Sequence, residues 1–364
     1  MFRSLYIHVP YCRAKCDYCA FYSMPGSTGD SRRPYISRLI EELESGATQC
    51  GIIESIFVGG GTPSLLSTDE WEAIGTAIRS RYELAPHCEW TMEANPDSLT
   101  PELVACWASL GVNRISLGIQ AFQPELRATI GRRGSLERLD EVVAAIRHSG
   151  IRRLNFDLIF NIPGQTLEQW HDSLAKALAY HPTHISAYAL TLEEGTRLAK
   201  NLPPLDDDDF LAFWNETDTM LATAGIRRYE ISNFSLPGEE CRHNSAIWHG
   251  GTYLGCGPTA ASFDGSLRWT NPPSINQWLD HQPPEKDYLP PEERASEILA
   301  LGFRTLAGWT WDAFTEITGY DALVLRGKAL RKLEKLGLVN LFDNGAAPTQ
   351  KGLLFNDDLA MALI

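Results

Sequence analysis

Apolar and polar positions along the 364 residues switch repeatedly between two periods. Short runs of strand character occupy residues 5–8, 55–58, 89–94, 114–118, 154–160 and 184–190. Segments of helical period lie between them. Residues 32–49 carry Ile36, Leu39, Ile40 and Leu43 on one face. Ser67 and Glu70 have the spacing of a capping box and open a helix to about Arg81. Thr100 and Pro101 start another, with proline in its first turn. Residues 136–148 form a helix that stops at Gly150, and Thr166 with Gln169 caps the next. Strands that alternate with long helices pair in parallel through right-handed crossovers. The predicted fold class is therefore α/β, a partial (β/α)6 barrel. A doubly wound sheet would alternate too, but the chain has no G-x-G-x-x-G fingerprint and no Gly-Lys-Ser/Thr phosphate loop.

The pattern changes after residue 200. Residues 203–209 are rich in proline and aspartate and read as a solvated turn and helix N-terminus, where acidic residues suit the dipole. A helix to about Ala224 leads to a strand at 228–234 that extends the sheet. Residues 241–257 are glycine-rich, aromatic and too irregular for one element, and they fall outside the six strand-helix units. The pairs Pro283-Pro284 and Pro290-Pro291 mark a linker. Beyond it come helices near 292–306, 311–318 and 323–336, a strand at 338–342, a turn at 343–346 and the segment 349–352, the order of a small winged-helix-like domain. The expected domains are thus a core barrel at 1–200, an α+β barrel extension at 201–285 and a C-terminal helical domain at 286–364.

Composition narrows the class. With 44% hydrophobic and 21% charged residues the chain is an ordinary globular protein. No run has the apolar length of a transmembrane helix. The N-terminal apolar stretch is interrupted by His8 and Pro10 and lacks a small-residue cleavage site, so it does not read as a signal peptide. A cytoplasmic location follows, where Cys50, Cys88, Cys106, Cys241 and Cys256 stay reduced as core thiols. A net charge of −14 argues against a nucleic-acid partner. Residues 323–336 do carry Arg326, Lys328, Arg331, Lys332 and Lys335, but their surroundings are slightly acidic, and they read as a packing or protein-contact surface.

The chemistry concentrates at Cys12, Cys16 and Cys19, a C-x3-C-x2-C spacing just after the first strand. Soft thiolates select iron-sulfur clusters or zinc. Three thiolates on one loop suit three irons of a four-iron cluster, leaving the fourth open to a chelating ligand such as S-adenosylmethionine. The alternative is a structural zinc site completed by His8 or a later cysteine. Gly60, Glu93, Gln120, Asp157 and Thr191 fall at the C-terminal ends of predicted strands, where parallel barrels build their sites.

These residues lie in the segments Tyr6-Ile-His-Val-Pro-Tyr-Cys12, Gly59-Gly-Gly-Thr-Pro63, Glu93-Ala-Asn-Pro96, Ser116-Leu-Gly-Ile-Gln-Ala-Phe122 and Asn155-Phe-Asp-Leu-Ile-Phe-Asn-Ile-Pro-Gly-Gln165. Together they resemble the radical S-adenosylmethionine superfamily, in the branch that contains oxygen-independent coproporphyrinogen III oxidase and the HemW-type heme chaperones. The resemblance implies a 4Fe-4S cluster on Cys12, Cys16 and Cys19, with S-adenosylmethionine chelating the open iron beside Tyr6, Gly60 and Glu93. Tyr18, Gly61, Thr62, Gln120, Arg132 and Asp157 match the second S-adenosylmethionine site of the oxidase.

Within the branch the residues favour the chaperone. The oxidase has an N-terminal extension and a further cysteine after the triad, whereas this chain starts at the first strand and has Ala20 after Cys19. The chaperones carry an H-N-x-x-Y-W motif linked to heme, matched here by His243, Asn244 and Trp248 with Ile247 in place of tyrosine. His243 is the implied heme ligand and Trp248 a cover for the macrocycle; the alternative is a His-Asn pair that only bonds the loop. The expected function is heme binding and transfer to an acceptor protein, with an electron donor for the cluster and peripheral membrane contact left open. The alternatives are radical decarboxylation of porphyrinogen propionates and a radical methyltransferase of the same branch.

Overall fold

The computed structural model describes residues 1–201 and 209–364. The turn expected at 203–209 lies outside the described residues except for Asp209, which precedes the helix Phe210–Thr223. The predicted strands form a parallel sheet: β1 (Phe2–Val9), β2 (Cys50–Gly60), β3 (Leu84–Ala94), β4 (Arg114–Gln120), β5 (Arg153–Phe160) and β6 (His184–Ala189) pair in that order. The capping signals act as expected. Ser67 and Glu70 bond each other's main chain at the head of the helix Thr68–Arg81, and Thr166 and Gln169 do the same for Leu167–Ala179. Thr100 caps Pro101–Leu110. Leu139–His148 starts three residues later than its pattern suggests, after a short extra helix, Pro124–Thr129.

Alternation along these strands separates two faces. Ile7, Ile56, Val58, Met92, Ile115, Leu117, Phe156 and Ile185 point under the helices, where Trp71 and Trp107 meet edge to face at 6.0 Å. The opposite face is polar and matched in register: Ser4 stands beside Ser55, Ser55 beside Glu89, Glu93 beside Ser116, Ser116 beside Asn155, and Asn155 beside His184. Parallel strands usually read as continuous apolar runs because both faces are dry. Here one face is the lining of a polar interior.

The sheet extends at both edges. Residues 228–234 do not form one strand but a hairpin, β7 (Arg227–Arg228) and β8 (Asn233–Ser235), antiparallel to β6. The Glu230 carboxylate makes the bend by accepting from the Ser232 N–H at 2.8 Å and the Asn233 amide at 2.6 Å. On the other edge β9 (Tyr253–Cys256) runs parallel to β1 and continues into β10 (Ala261–Phe263), β11 (Arg268–Thr270) and β12 (Glu285–Asp287). The expected proline linker is therefore a sheet edge, since the two proline pairs flank β12. The C-terminal module orders helix Pro291–Gly302, β13 (Trp309–Thr310), helices Trp311–Thr318 and Ala322–Lys335, β14 (Val339–Phe342) and β15 (Gly345–Pro348). This is a winged-helix arrangement around its own core of Leu299, Phe303, Trp309, Phe314 and Leu330.

The segment 241–257, expected to be too irregular for one element and outside the six units, is two elements that follow those units, a short helix and β9, and the helix is packed rather than a free loop. Arg242–Trp248 is a helix laid against β2 and β3, towards the end of the sheet opposite the cysteine loop. His243, 3% exposed, bonds Ser55 Oγ through Nδ1 at 2.9 Å and packs on Phe57 with ring centres 5.3 Å apart. The His243 N–H donates to Glu89 Oε1 at 3.2 Å. At the other end Arg304 lies over Trp248 at 4.4 Å, and His249 Nε2 bonds Gly308 O at 3.0 Å. Removing a buried hydrogen-bonded side chain costs about 1–3 kcal/mol. His243→Ala is expected to lower the melting temperature of the heme-free protein by a few degrees; an unchanged value would put the imidazole outside the core.

Candidate functional site

The cysteine loop hangs from the C-terminal end of β1. Met24 N–H bonds Pro10 O at 2.6 Å and Gly26 N–H bonds Cys12 O at 3.3 Å, closing the loop on itself. Asp17 ties it to neighbouring segments, its N–H donating to Ile130 O at 3.1 Å and its carbonyl accepting from Leu198 N–H at 2.8 Å. The glycines after β2 prolong the β1–β2 pairing beyond the sheet: Gly61 N–H donates to Val9 O at 2.8 Å and Thr62 N–H to Tyr11 O at 2.7 Å. A Cβ on Gly61 would stand 2.5 Å from Val9 O and 2.6 Å from Tyr11 O. On Gly60, whose φ is +95°, it would meet the His8 ring at 2.3 Å. The need for glycine at 60 and 61 thus comes from the protein's own main chain and from His8.

Each sulfur receives a donor. Thr62 Oγ1 reaches Cys12 Sγ at 3.5 Å, Arg132 reaches Cys16 Sγ at 3.6 Å, and the Phe21 N–H points at Cys19. Burial pushes the Cys12 and Cys19 thiols up, and neighbouring sulfurs push further. Thiolates that bind a cluster offset this cost through iron and through these donors. His8 does not suit a fourth zinc ligand, because Nδ1 bonds Tyr6 OH at 3.1 Å and Nε2 bonds Tyr22 O at 3.0 Å. The donor set therefore fits three irons of a cluster whose fourth iron takes an outside ligand.

Arg132 frames the loop. Its guanidinium donates to Asn95 Oδ1 at 2.5 Å and Gly118 O at 2.7 Å, Asn95 donates to Thr62 Oγ1 at 3.1 Å, and Thr62 reaches Cys12. Arg132 Nε is buried without a partner among the described residues. Glu93, on β3, accepts the Gly60 N–H at 3.2 Å; burial, then the charge of Asp157, lifts its carboxyl to about 8. Asp157 accepts from Ser116 and Asn155, both at 2.8 Å, and burial raises its pKa against those bonds. Tyr18 packs against the apolar cluster that includes Ile130 and Ile159, and burial raises its hydroxyl. Gln120 ends β4 at φ +69°, in the left-handed region that costs a non-glycine residue about 1 kcal/mol or more.

The strand ends thus gather Tyr6, Tyr18, Gly60, Gly61, Thr62, Glu93, Gln120, Arg132 and Asp157 around the three cysteines. Two expectations shift. Asp157 lies within β5, three residues before its end, and Thr191 is exposed beyond β6 with its hydroxyl turned to Ala189 O. His243 does not join the set. The sequence offers Asn95 no role and His8 only that of an alternative zinc ligand, although both sit inside the quoted motifs beside Glu93 and Tyr6.

Gly61→Val is expected to lose most of its iron on anaerobic reconstitution, since the branched side chain meets the main chain that carries the cysteines. Full iron with weakened S-adenosylmethionine binding would instead aim that side chain at the ligand. Glu93 also predicts a pH dependence. The unfolded carboxyl ionises near the usual 4.5 whereas the folded one keeps its proton to about 8, so the folded state binds more protons and stability falls as pH rises between the two. The slope is at most about 1.4 kcal/mol per pH unit. Denaturant titrations from pH 5.5 to 8 should show a flatter profile for Glu93→Gln, and parallel profiles would contradict the raised pKa.

Comparison with known proteins agrees with this geometry. Residues 6–177 match the family model of the radical SAM superfamily, and residues 289–355 that of the HemN C-terminal domain. A protein named heme chaperone HemW from Synechocystis sp. is 35% identical over 332 residues, covering 84% of this chain and 79% of its own. That of Escherichia coli is 36% identical, covering 70% of this chain and 68% of its own, and that of Bacillus subtilis is 29% identical, covering 100% and 99%. Among solved structures, Escherichia coli coproporphyrinogen III oxidase, described as a radical SAM enzyme, superposes with a TM-score of 0.84 at 21% identity, covering 99% of this chain and 89% of that one, which bears on the fold. With the cysteine loop, the parallel strand ends and the C-terminal module all in place, the chain belongs to the radical S-adenosylmethionine superfamily, as a HemW-type member.

Proposed function

We propose that this protein is a heme chaperone that carries a 4Fe-4S cluster and S-adenosylmethionine, binds heme and passes it to an acceptor protein. The observation that carries this reading is the whole-chain match to relatives named heme chaperone, which spans the barrel and the C-terminal module together. Ala20, standing where the oxidase resemblance calls for a further cysteine, supports the same choice. Cys12, Cys16 and Cys19 hold the cluster. Tyr6, Gly60 and Glu93 border the S-adenosylmethionine on its open iron, and Tyr18, Gly61, Thr62, Gln120, Arg132 and Asp157 make the adjoining wall. Carboxylates at Glu93 and Asp157 suit a sulfonium and an ammonium, and the Arg132 guanidinium suits a carboxylate. When bound, the cluster supplies single-electron chemistry.

The partners in this reading are a heme-accepting protein and an electron donor for the cluster, met in the cytoplasm. No helix among the described residues is long and apolar enough to cross a membrane. His243 is the heme ligand that the resemblance offers. The Ser55 bond engages Nδ1 and leaves Nε2 for iron, but the ring is buried, so its ligation would require the helix Arg242–Trp248 to move away from β2.

Anaerobically reconstituted protein, titrated with hemin, is expected to hold heme in proportion to its chains and to release it to apomyoglobin, as followed by absorption. No heme retention, together with 5′-deoxyadenosine and vinyl products from coproporphyrinogen, would make it an oxidative decarboxylase instead.

A further inference from the structure

The polar face of the sheet contains a chain of hydrogen bonds whose direction can be assigned at every link. A main-chain N–H can only donate, so the Cys241 N–H, 3.2 Å from Tyr229 OH, makes that oxygen an acceptor and turns its proton elsewhere. The neighbour is His184 Nε2 at 2.9 Å, which therefore accepts. The His184 proton then sits on Nδ1 and is donated to Asn155 Oδ1 at 2.7 Å. With its oxygen so occupied, the Asn155 amide points Nδ2 at Asp157 Oδ1 at 2.8 Å, with Ser116 and Ser186 at 2.6 and 3.0 Å. Ser116 donates to the other carboxylate oxygen at 2.8 Å. Asn155, His184, Ser116 and Ser186 are all buried, so water does not substitute for a lost link.

We propose that His184 and Tyr229 are positioning residues, which act through Asn155 to keep hydrogen-bond donors aimed at the Asp157 carboxylate and so hold it ionised for its ligand. The proposal deepens the reading of Asp157 as an S-adenosylmethionine contact and rests on it. If Tyr229 loses its hydroxyl, the Nε2 lone pair loses its donor, the tautomer is held at Nδ1 by Asn155 alone, and the Nε2–H form becomes accessible. Nδ1 then faces Asn155 Oδ1 lone pair to lone pair, the amide turns over, and a carbonyl replaces the donor beside Asp157. Other charges on Asp157 are fixed by the fold: Arg114 on β4 favours the carboxylate, while Glu93 on β3, Tyr188 on β6 and Tyr18 on the cysteine loop oppose it. His184 itself stays neutral, since burial and then Arg114 hold its pKa well below the usual imidazole value. The tautomer is therefore the link that sets the direction of the Asn155 amide.

Two measurements test this. In cluster-free protein, the 15N shifts of the His184 ring should show Nδ1 protonated and Nε2 as acceptor, and the reverse assignment would overturn the proposal. In cluster-loaded protein, calorimetric S-adenosylmethionine affinity of each variant is compared with that of the unaltered chain at the same pH between 6.5 and 8.5, so that the titration of Glu93 near 8, common to all of them, cancels. Tyr229→Phe and His184→Leu should bind more weakly than the unaltered chain at the acid end, by at most about tenfold for a shift of one pK unit, and should rejoin it towards pH 8.5. Weakening that is uniform with pH, or no weakening, would overturn the positioning role. Asp157→Asn separates the two claims: if it keeps full affinity, the reading of Asp157 as a ligand contact fails, whereas if it loses affinity while Tyr229→Phe and His184→Leu do not change, only the positioning role fails.

Discussion

A parallel sheet with a polar inner face is costly unless every buried donor meets an acceptor, because an unpaired group in a dry interior loses its whole hydration. Most of this face meets that requirement, with Thr91 Oγ1 and Glu89 Oε2 left without a hydrogen bond among the described residues. The register that places Ser116 beside Asn155, and Asn155 beside His184, lets their side chains bond across neighbouring strands. On the outer face the same strands present branched and aromatic residues to the helices, so hydrophobic burial on one side holds the polar face in place on the other.

The cysteine loop obeys the same rule at close range. It contains little secondary structure, and its shape comes from main-chain bonds to the glycines after β2 and from the run Arg132, Asn95, Thr62. Arg132 is central because one planar cation serves Asn95, the Gly118 carbonyl and the Cys16 sulfur at once. A lysine has the charge without the fork. The strain at Gln120 and the raised carboxyl of Glu93 lie at the same strand ends, as functional sites tend to gather strain and shifted pKa values.

The helix Arg242–Trp248 joins the barrel to the C-terminal module. Glu89 accepts from the His243 N–H and lies 3.5 Å from Arg153, so a buried carboxylate anchors the head of the helix. At its tail, Trp248 and His249 meet Arg304, Gly308 and Trp309. A residue pattern associated with heme is thus, in this conformation, the joint between two packed cores.

Much of the fold was legible in the sequence because its signals are local. The alternation of periods placed six strands and their crossovers, Ser67 with Glu70 and Thr166 with Gln169 marked helix starts, and three cysteines on one loop marked a metal site, cluster or zinc. The limits are equally physical. Glu230 bends residues 228–234 through bonds that hydropathy does not encode, and β12 forms because β11 offers it an edge. Sequence alone singled out the candidate residues, since ligand type and spacing are properties of short segments. Only the tertiary structure decided how they are used: that His243 faces Ser55 instead of solvent, that Gly61 yields to Val9 and Tyr11, and that Asp157 is bonded by Asn155 and Ser116. Hydrogen-bond partners and direction depend on distances between residues far apart in the chain, and those distances exist only once strands from different parts of the sequence lie in register.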